Sequence, residues 1–158
     1  MLCDMAEGKK EIDPAFIREA LVSGNTWAIP FEMQCLSGED TPEYVNEVCE
    51  TLDMYQSLES SYDSLSKADK AKVDASPVGS LVKFPGFDGN HEGEHMSAMI
   101  MLVRHLGRYS YFTGRENLNS HMSTVPGNEK MYKAWSATDG GYDLSADTII
   151  EILKSRLS

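Results

Sequence analysis

Apolar residues recur along this chain mainly at spacings of three and four, a period that predicts helices. The strongest run opens at Thr41-Pro42. Tyr44, Val48, Leu52, Tyr55, Leu58, Tyr62 and Leu65 follow one another at three or four, and Val45 and Cys49 widen the stripe. Proline suits the first helical turn, so the pattern predicts one amphipathic helix over about residues 42–65, roughly 36 Å long at 1.5 Å per residue. Glu43, Glu47, Glu50 and Glu59 are expected on its solvated side. An apolar face of that length needs either several short helices of its own chain or the same helix of another subunit. This helix is the expected architectural spine.

Shorter elements flank it. Asp13-Pro14 reads as a cap followed by a first-turn proline, with Gly24 as the stop and Phe16, Ile17, Ala20 and Leu21 as the stripe. Residues 27–36 read two ways: a helical turn opened by Pro30 and closed at Gly38, or an extended stretch through Trp27. Ser66 and Asp69 form a capping pair for a short helix over Lys67 to Val73. Residues 76–90 are punctuated by Gly and Pro, yet Val78, Leu81, Val82, Phe84 and Phe87 predict a loop packed down on the core. Met96, Met99, Ile100, Val103 and Leu106 form a second stripe that ends at Gly107. A polar loop is expected through Gly127, then a short helix bearing Met131, Tyr132 and Trp135, broken at Gly140-Gly141. Ser145 caps a last helix whose stripe is Ile149, Ile150, Leu153 and Leu157. No internal repeat or sharp change of composition divides the chain. The expectation is a flexible N-terminus over residues 1–10 and a single all-α, multihelical domain over 11–158, with five to seven helices.

Charge changes this picture in one respect. The formal net charge of −11 falls wholly in the first 65 residues, where 14 Asp and Glu face 3 Lys and Arg. Such a surface repels nucleic-acid backbones and anionic lipid, and favours solvation or a basic protein partner. Cys3, Cys35 and Cys49 lack ligand spacing and cannot all pair within one chain, which points to a reducing cytoplasm. No apolar run approaches the 18 residues of a membrane span, and no cofactor motif is present.

The string His91-Glu92-Gly93-Glu94-His95 spells H-E-x-x-H, a pattern that can hold zinc on two imidazoles one turn apart with the glutamate as base. Three features count against that reading. Gly89 and Asn90 put His91 in the first, least rigid turn; Gly93 costs about 1 kcal/mol of helix propensity; and the position six residues beyond His95 is Met101, with no third histidine. His105, His121 or Glu116 would have to be brought in by the fold. A metal site at His91 and His95 is therefore the alternative, and a hydrated helix start the leading reading.

Arg104, Arg108 and Arg115 bracket Tyr109, Tyr111 and Phe112. Arg104, Arg108 and Tyr109, with Trp135, are candidate ligand-binding residues for an anion or an aromatic group. The competing reading pairs the arginines with carboxylates of other elements. Tyr44, Tyr55 and Tyr62, at helical spacing, are candidate interface residues, because an amphipathic ring suits a half-wet contact. Three clustered methionines, Met96, Met99 and Met101, suit adaptable packing.

Several strings together resemble the YfbU-like family of bacterial proteins: Leu52-Asp53-Met54-Tyr55, Phe84-Pro85-Gly86-Phe87-Asp88, Gly107-Arg108-Tyr109 with Phe112, Trp135, and Tyr142-Asp143-Leu144-Ser145-Ala146. The resemblance runs from about Ile12 to Ile152. It implies a small, cytoplasmic, multihelical and oligomeric protein, and supplies no catalytic residue. It does not call for histidines at positions 91 and 95, and the chain departs from it near Gly127. The functional expectation is a noncatalytic, oligomeric interaction or regulatory domain. The alternatives are a metal-dependent hydrolase at His91, Glu92 and His95, or a small-molecule-binding domain.

Overall fold

A computed structural model describes residues 13–33 and 41–158. The expected flexible segment 1–10, Cys3, Cys35 and the expected stop at Gly38 lie outside the described residues.

The described chain is all-α, with seven α-helices and no strand. Helix α1 spans Pro14–Val22, with Asp13 accepting the Ala15 N–H at 2.9 Å as its cap. Helix α2 spans Ala28–Met33, which resolves the ambiguous stretch after Trp27 as helical. The long helix α3 spans Glu43–Ser64. Helix α4 spans Lys67–Asp74, capped by the Ser66 hydroxyl, which accepts the Asp69 N–H. After a 3-10 turn at Gly79–Val82, α5 spans Gly93–Ile100. Helix α6 spans Val125–Ser136 and α7 spans Ala146–Ser155, the latter capped by Ser145 on the Thr148 N–H.

Helix α3 is the spine, and its own chain covers it. Helices α5, α6 and α7 and the Gly79–Val82 turn all pack on it. Leu52, Met54, Tyr55 and Leu58 are fully buried, each contributing about 1.5–3 kcal/mol by leaving water. Of the two ways to cover the stripe, the chain uses short helices of its own. Phe84 sits at the centre of an aromatic cluster, with edge-to-face contacts to Tyr55, Phe87 and Phe112 at centroid distances of 5.2, 5.5 and 5.6 Å. The loop 76–90 is thus packed down, as its apolar residues predict.

Three expectations need correcting. Glu59 is not on the solvated side of α3 but buried, because the Phe84 loop and Arg115 close over it. The second apolar stripe is not one regular α-helix: after Ile100 it widens into a π-helical turn over Met101–His105, where the Leu106 N–H reaches the Met101 carbonyl five residues back. The loop expected through Gly127 is helix from Val125, with Pro126 in its first turn. Gly127 serves as a gap: a Cβ there would lie 2.8 Å from Cγ of Arg156, whose side chain crosses from α7.

Gly86 shows why the loop cannot take another residue. Its φ is 91°, a left-handed conformation that side chains resist, and any Cβ would run into the Leu118 backbone. Gly86→Ala should lower unfolding free energy by about 2–4 kcal/mol. Urea denaturation would measure it, and a change under 0.5 kcal/mol would contradict this account of the loop.

Candidate functional site

The H-E-x-x-H string is split across a helix boundary. Helix α5 begins at Gly93, so His91 and Glu92 precede it. Asp88 organises this start: its Oδ1 accepts the Asn90 N–H at 3.0 Å and its Oδ2 contacts Nδ1 of His91 at 2.6 Å. The Asn90 N–H and then His91 lower the Asp88 pKa. His91 is otherwise exposed, whereas His95 is held 2.6 Å from Glu47 on α3, with its ring tilted 5.6 Å from Phe87. The two imidazoles thus serve different carboxylates on different elements.

Glu92 does structural work that its sequence context does not advertise. It is buried, and both carboxylate oxygens are occupied. Oε1 accepts from the Ser123 hydroxyl and from the Thr124 and Val125 N–H groups at 2.6, 2.7 and 2.8 Å. Oε2 accepts from the Asp88 N–H and the Thr124 hydroxyl at 2.9 and 3.0 Å. Helix α6 has no side-chain cap of its own, so Glu92 satisfies its first donors and places a negative charge at its positive end. Burial alone would raise the Glu92 pKa, but these hydrogen bonds outweigh it and hold the carboxyl at about 2. A zinc-hydrolase base needs a free oxygen beside a water and a pKa nearer neutrality; Glu92 offers neither. Among the described residues, no three His, Cys, Asp or Glu side chains group as metal ligands.

The four candidate ligand residues engage different neighbours. Arg104 donates from Nε and Nη2 to Oε1 of the buried Glu116, at 3.0 and 2.9 Å. Arg108 lies 5.7 Å from the Phe31 ring centroid. Trp135 donates to the Ser57 hydroxyl at 2.9 Å, closing α6 onto α3. Tyr109 adopts a left-handed backbone (φ 50°, ψ 46°), which costs a residue bearing a Cβ roughly 1–2 kcal/mol. Its hydroxyl faces Cys49 and Asp53, one turn apart on α3. Burial and then these two neighbours push the Tyr109 pKa up, and burial raises the pKa of Cys49 and Asp53.

The tyrosines of α3 also separate. Tyr55 is wholly inside this chain's core, where burial raises its pKa to about 12, so it presents no surface to another copy. Tyr62 donates to Asp74 at 2.7 Å, with Lys70 and Lys83 within 6 Å of its ring. Tyr44 remains half-exposed, its centroid 6.1 Å from that of His95.

From Tyr44 the outer side of α3 runs through Glu47, Glu50 and Asp53, and α6 adds Glu129 and the half-buried Tyr132. Partial burial and then the charges of Glu47, Glu129 and Asp53 raise the Glu50 pKa. Burial, Glu50 and Asp53 raise that of Tyr132. Among the described residues, no Lys, Arg or His forms an ion pair with Glu50, Asp53 or Glu129. This band, in which His95 holds Glu47 while Glu50, Asp53 and Glu129 lack an ionic partner among the described residues, is with its half-buried tyrosines the candidate functional surface. Its helical spacing was visible in the sequence; the contributions of Tyr109, Glu129 and Tyr132 were not, because they come from elements more than 50 residues away.

The depressed Glu92 pKa sets a pH window. The stabilising contribution of the ionised group is complete above its unfolded pKa near 4.5 and is lost as pH falls towards 2. Glu92→Gln puts an amide against N–H donors and should cost about 1–3 kcal/mol at pH 7. Urea midpoints at pH 7, 4 and 3 should converge between wild type and variant as pH drops. A constant gap would argue against this role.

No solved structure matches the chain, so its similarities lie at the level of family. The resemblance noted in the sequence is confirmed by the YfbU domain family, which matches residues 15–155. Each of the strings that suggested it has a defined place in the fold, and the chain belongs to the YfbU domain family.

Proposed function

We propose that this protein is a noncatalytic helical interaction domain, oligomeric in solution and cytoplasmic, whose α3–α6 face receives a basic protein partner. The observation that carries the reading is the unpaired carboxylate band itself. Partial burial and then the neighbouring charges of Glu47, Glu129 and Asp53 raise the Glu50 pKa, yet among the described residues no cation pairs with Glu50, Asp53 or Glu129. Bringing like charges together without compensation costs stability, and an arriving Lys- or Arg-rich surface would relieve that cost. Tyr44, Tyr109 and Tyr132 add the amphipathic rings that interface cores favour. Oligomerisation is supported by apolar surface elsewhere: Leu21 on α1 is 59% exposed and Met122 is 67% exposed. Cys49 is a free thiol, in keeping with a reducing compartment. No described helix is long and apolar enough to cross a membrane.

Decalysine is a suitable probe of the face. At low ionic strength it should perturb the amide resonances of α3 residues 44–53 and α6 residues 129–132. The triple variant Glu50→Gln, Asp53→Asn, Glu129→Gln should bind about tenfold more weakly. A control triple, Asp139→Asn, Asp143→Asn, Glu151→Gln, should bind like wild type. Equal losses in both triples would reduce the face to general acidity and end the proposal. Light scattering on a sizing column should give a multiple of the 158-residue chain mass; a monomer at high micromolar concentration would remove the oligomeric part.

A further inference from the structure

A groove of about 520 Å³ opens between α1 and the π-helical turn at Met101–His105. It lies within the range of sites that take small molecules, about 300–1,000 Å³. The chemistry around it is mixed and unspent. Arg104 is anchored by buried Glu116, which uses two of its five N–H donors, so three remain on a guanidinium held in place. The side chains of Arg18 and Glu19, adjacent on α1, and of His105, next to Arg104, have no hydrogen-bond or ion-pair partner among the described residues. Phe16 and Val22 provide the apolar wall. Asp13, at the rim, is occupied by capping α1.

The π turn is what brings this set together. Its extra residue widens the helix after Ile100 and delivers Arg104 and His105 side by side to the groove; single π turns inside α-helices recur at ligand sites. Neither local charge nor the molecule's overall −11 favours an anion, since Glu19 offsets Arg18 and Glu116 offsets Arg104. What the groove offers is separated opposite charges beside an apolar wall.

We propose that this groove binds a small zwitterion of the amino-acid type with an apolar side chain. Its carboxylate is received by Arg18 and Arg104, its ammonium group by Glu19, and its side chain by Phe16 and Val22. A ligand of zero net charge approaches the acidic molecule without long-range repulsion and still finds both of its ionic groups matched. The site is separate from the α3–α6 face and does not depend on that surface having a partner.

Titration of the full chain with L-leucine, followed by amide resonances, tests this. L-leucine should cause saturable shifts confined to residues 14–22 and 101–107. N-acetyl-L-leucine, lacking the ammonium group, and 3-methylbutylamine, lacking the carboxylate, should each bind roughly tenfold more weakly or worse, the effect of losing one charge-assisted hydrogen bond. Arg18→Gln and Glu19→Gln should each reduce L-leucine affinity to a similar extent. Arg18 is exposed and Glu19 only half-buried, so an unchanged thermal midpoint will show that the fold is intact. Arg104→Gln is less suitable, because it leaves Glu116 buried without its partner. Absence of saturable shifts with L-leucine overturns the proposal. So does equal binding of either analogue, or an Arg18→Gln variant that binds like wild type.

Discussion

A carboxylate buried inside the longest helix ties the rest of the structure together. Glu59 lies on α3 facing inward, and its two oxygens hold three separate segments: the Phe84 N–H at 2.8 Å, the Tyr111 hydroxyl at 3.1 Å and the Arg115 guanidinium at 3.0–3.1 Å. Arg115 in turn covers the Phe112 ring at 4.9 Å. A charge in such a place is tolerated only when its lone pairs are filled, and removing any one partner would leave the others in a poor environment. The Phe84 loop, the turn at Ser110–Phe112 and α3 therefore have to arrive together. The aromatic cluster around Phe84 forms in the space that this arrangement encloses.

The same helix holds most of the strings that mark the family. Ser57 donates to the Gly141 carbonyl and accepts from Trp135; Ser61 donates to the Tyr142 carbonyl and accepts the Leu144 N–H. Cys49 and Asp53 face Tyr109. Gly-Phe-Asp supplies the left-handed Gly86, the core ring of Phe87 and the turn-forming carboxylate of Asp88. The contacts of Ser57, Ser61 and Asp88 each satisfy a backbone or side-chain group that would otherwise be left unpaired. These contacts hold α3 to the segments around it.

The carboxylates divide into two populations. Glu59, Asp88 and Glu92 are buried and matched by donors, and buried Glu116 receives Arg104 on Oε1 while its Oε2 is left without a partner among the described residues. Glu50, Asp53 and Glu129 stand on the surface without an ion-pair partner among the described residues. The first population fixes the fold; the second is what the proposed basic partner would meet. The proposed interaction face and the proposed groove beside α1 both rest on surface groups that the fold leaves unmatched, the groove with both signs of charge.

Helix α3 was legible from the periodicity of Tyr44 to Leu65, as were the caps at Asp13, Ser66 and Ser145 and the breaks at Gly24 and Gly140, since each depends on residues within a turn of one another. The π turn, the early start of α6 and the inward placement of Glu59 were not legible. Glu59 follows the acidic pattern of a solvated face, and only Arg115, 56 residues on, makes its burial affordable. Glu92 is the same case: local spelling suggested a catalytic base, while its donors lie about 30 residues downstream. Local sequence determined which segments coil and where they stop, because helix propensity and capping act over three or four residues. Tertiary structure alone decided which charges are buried, because that depends on donors brought from distant segments to meet them.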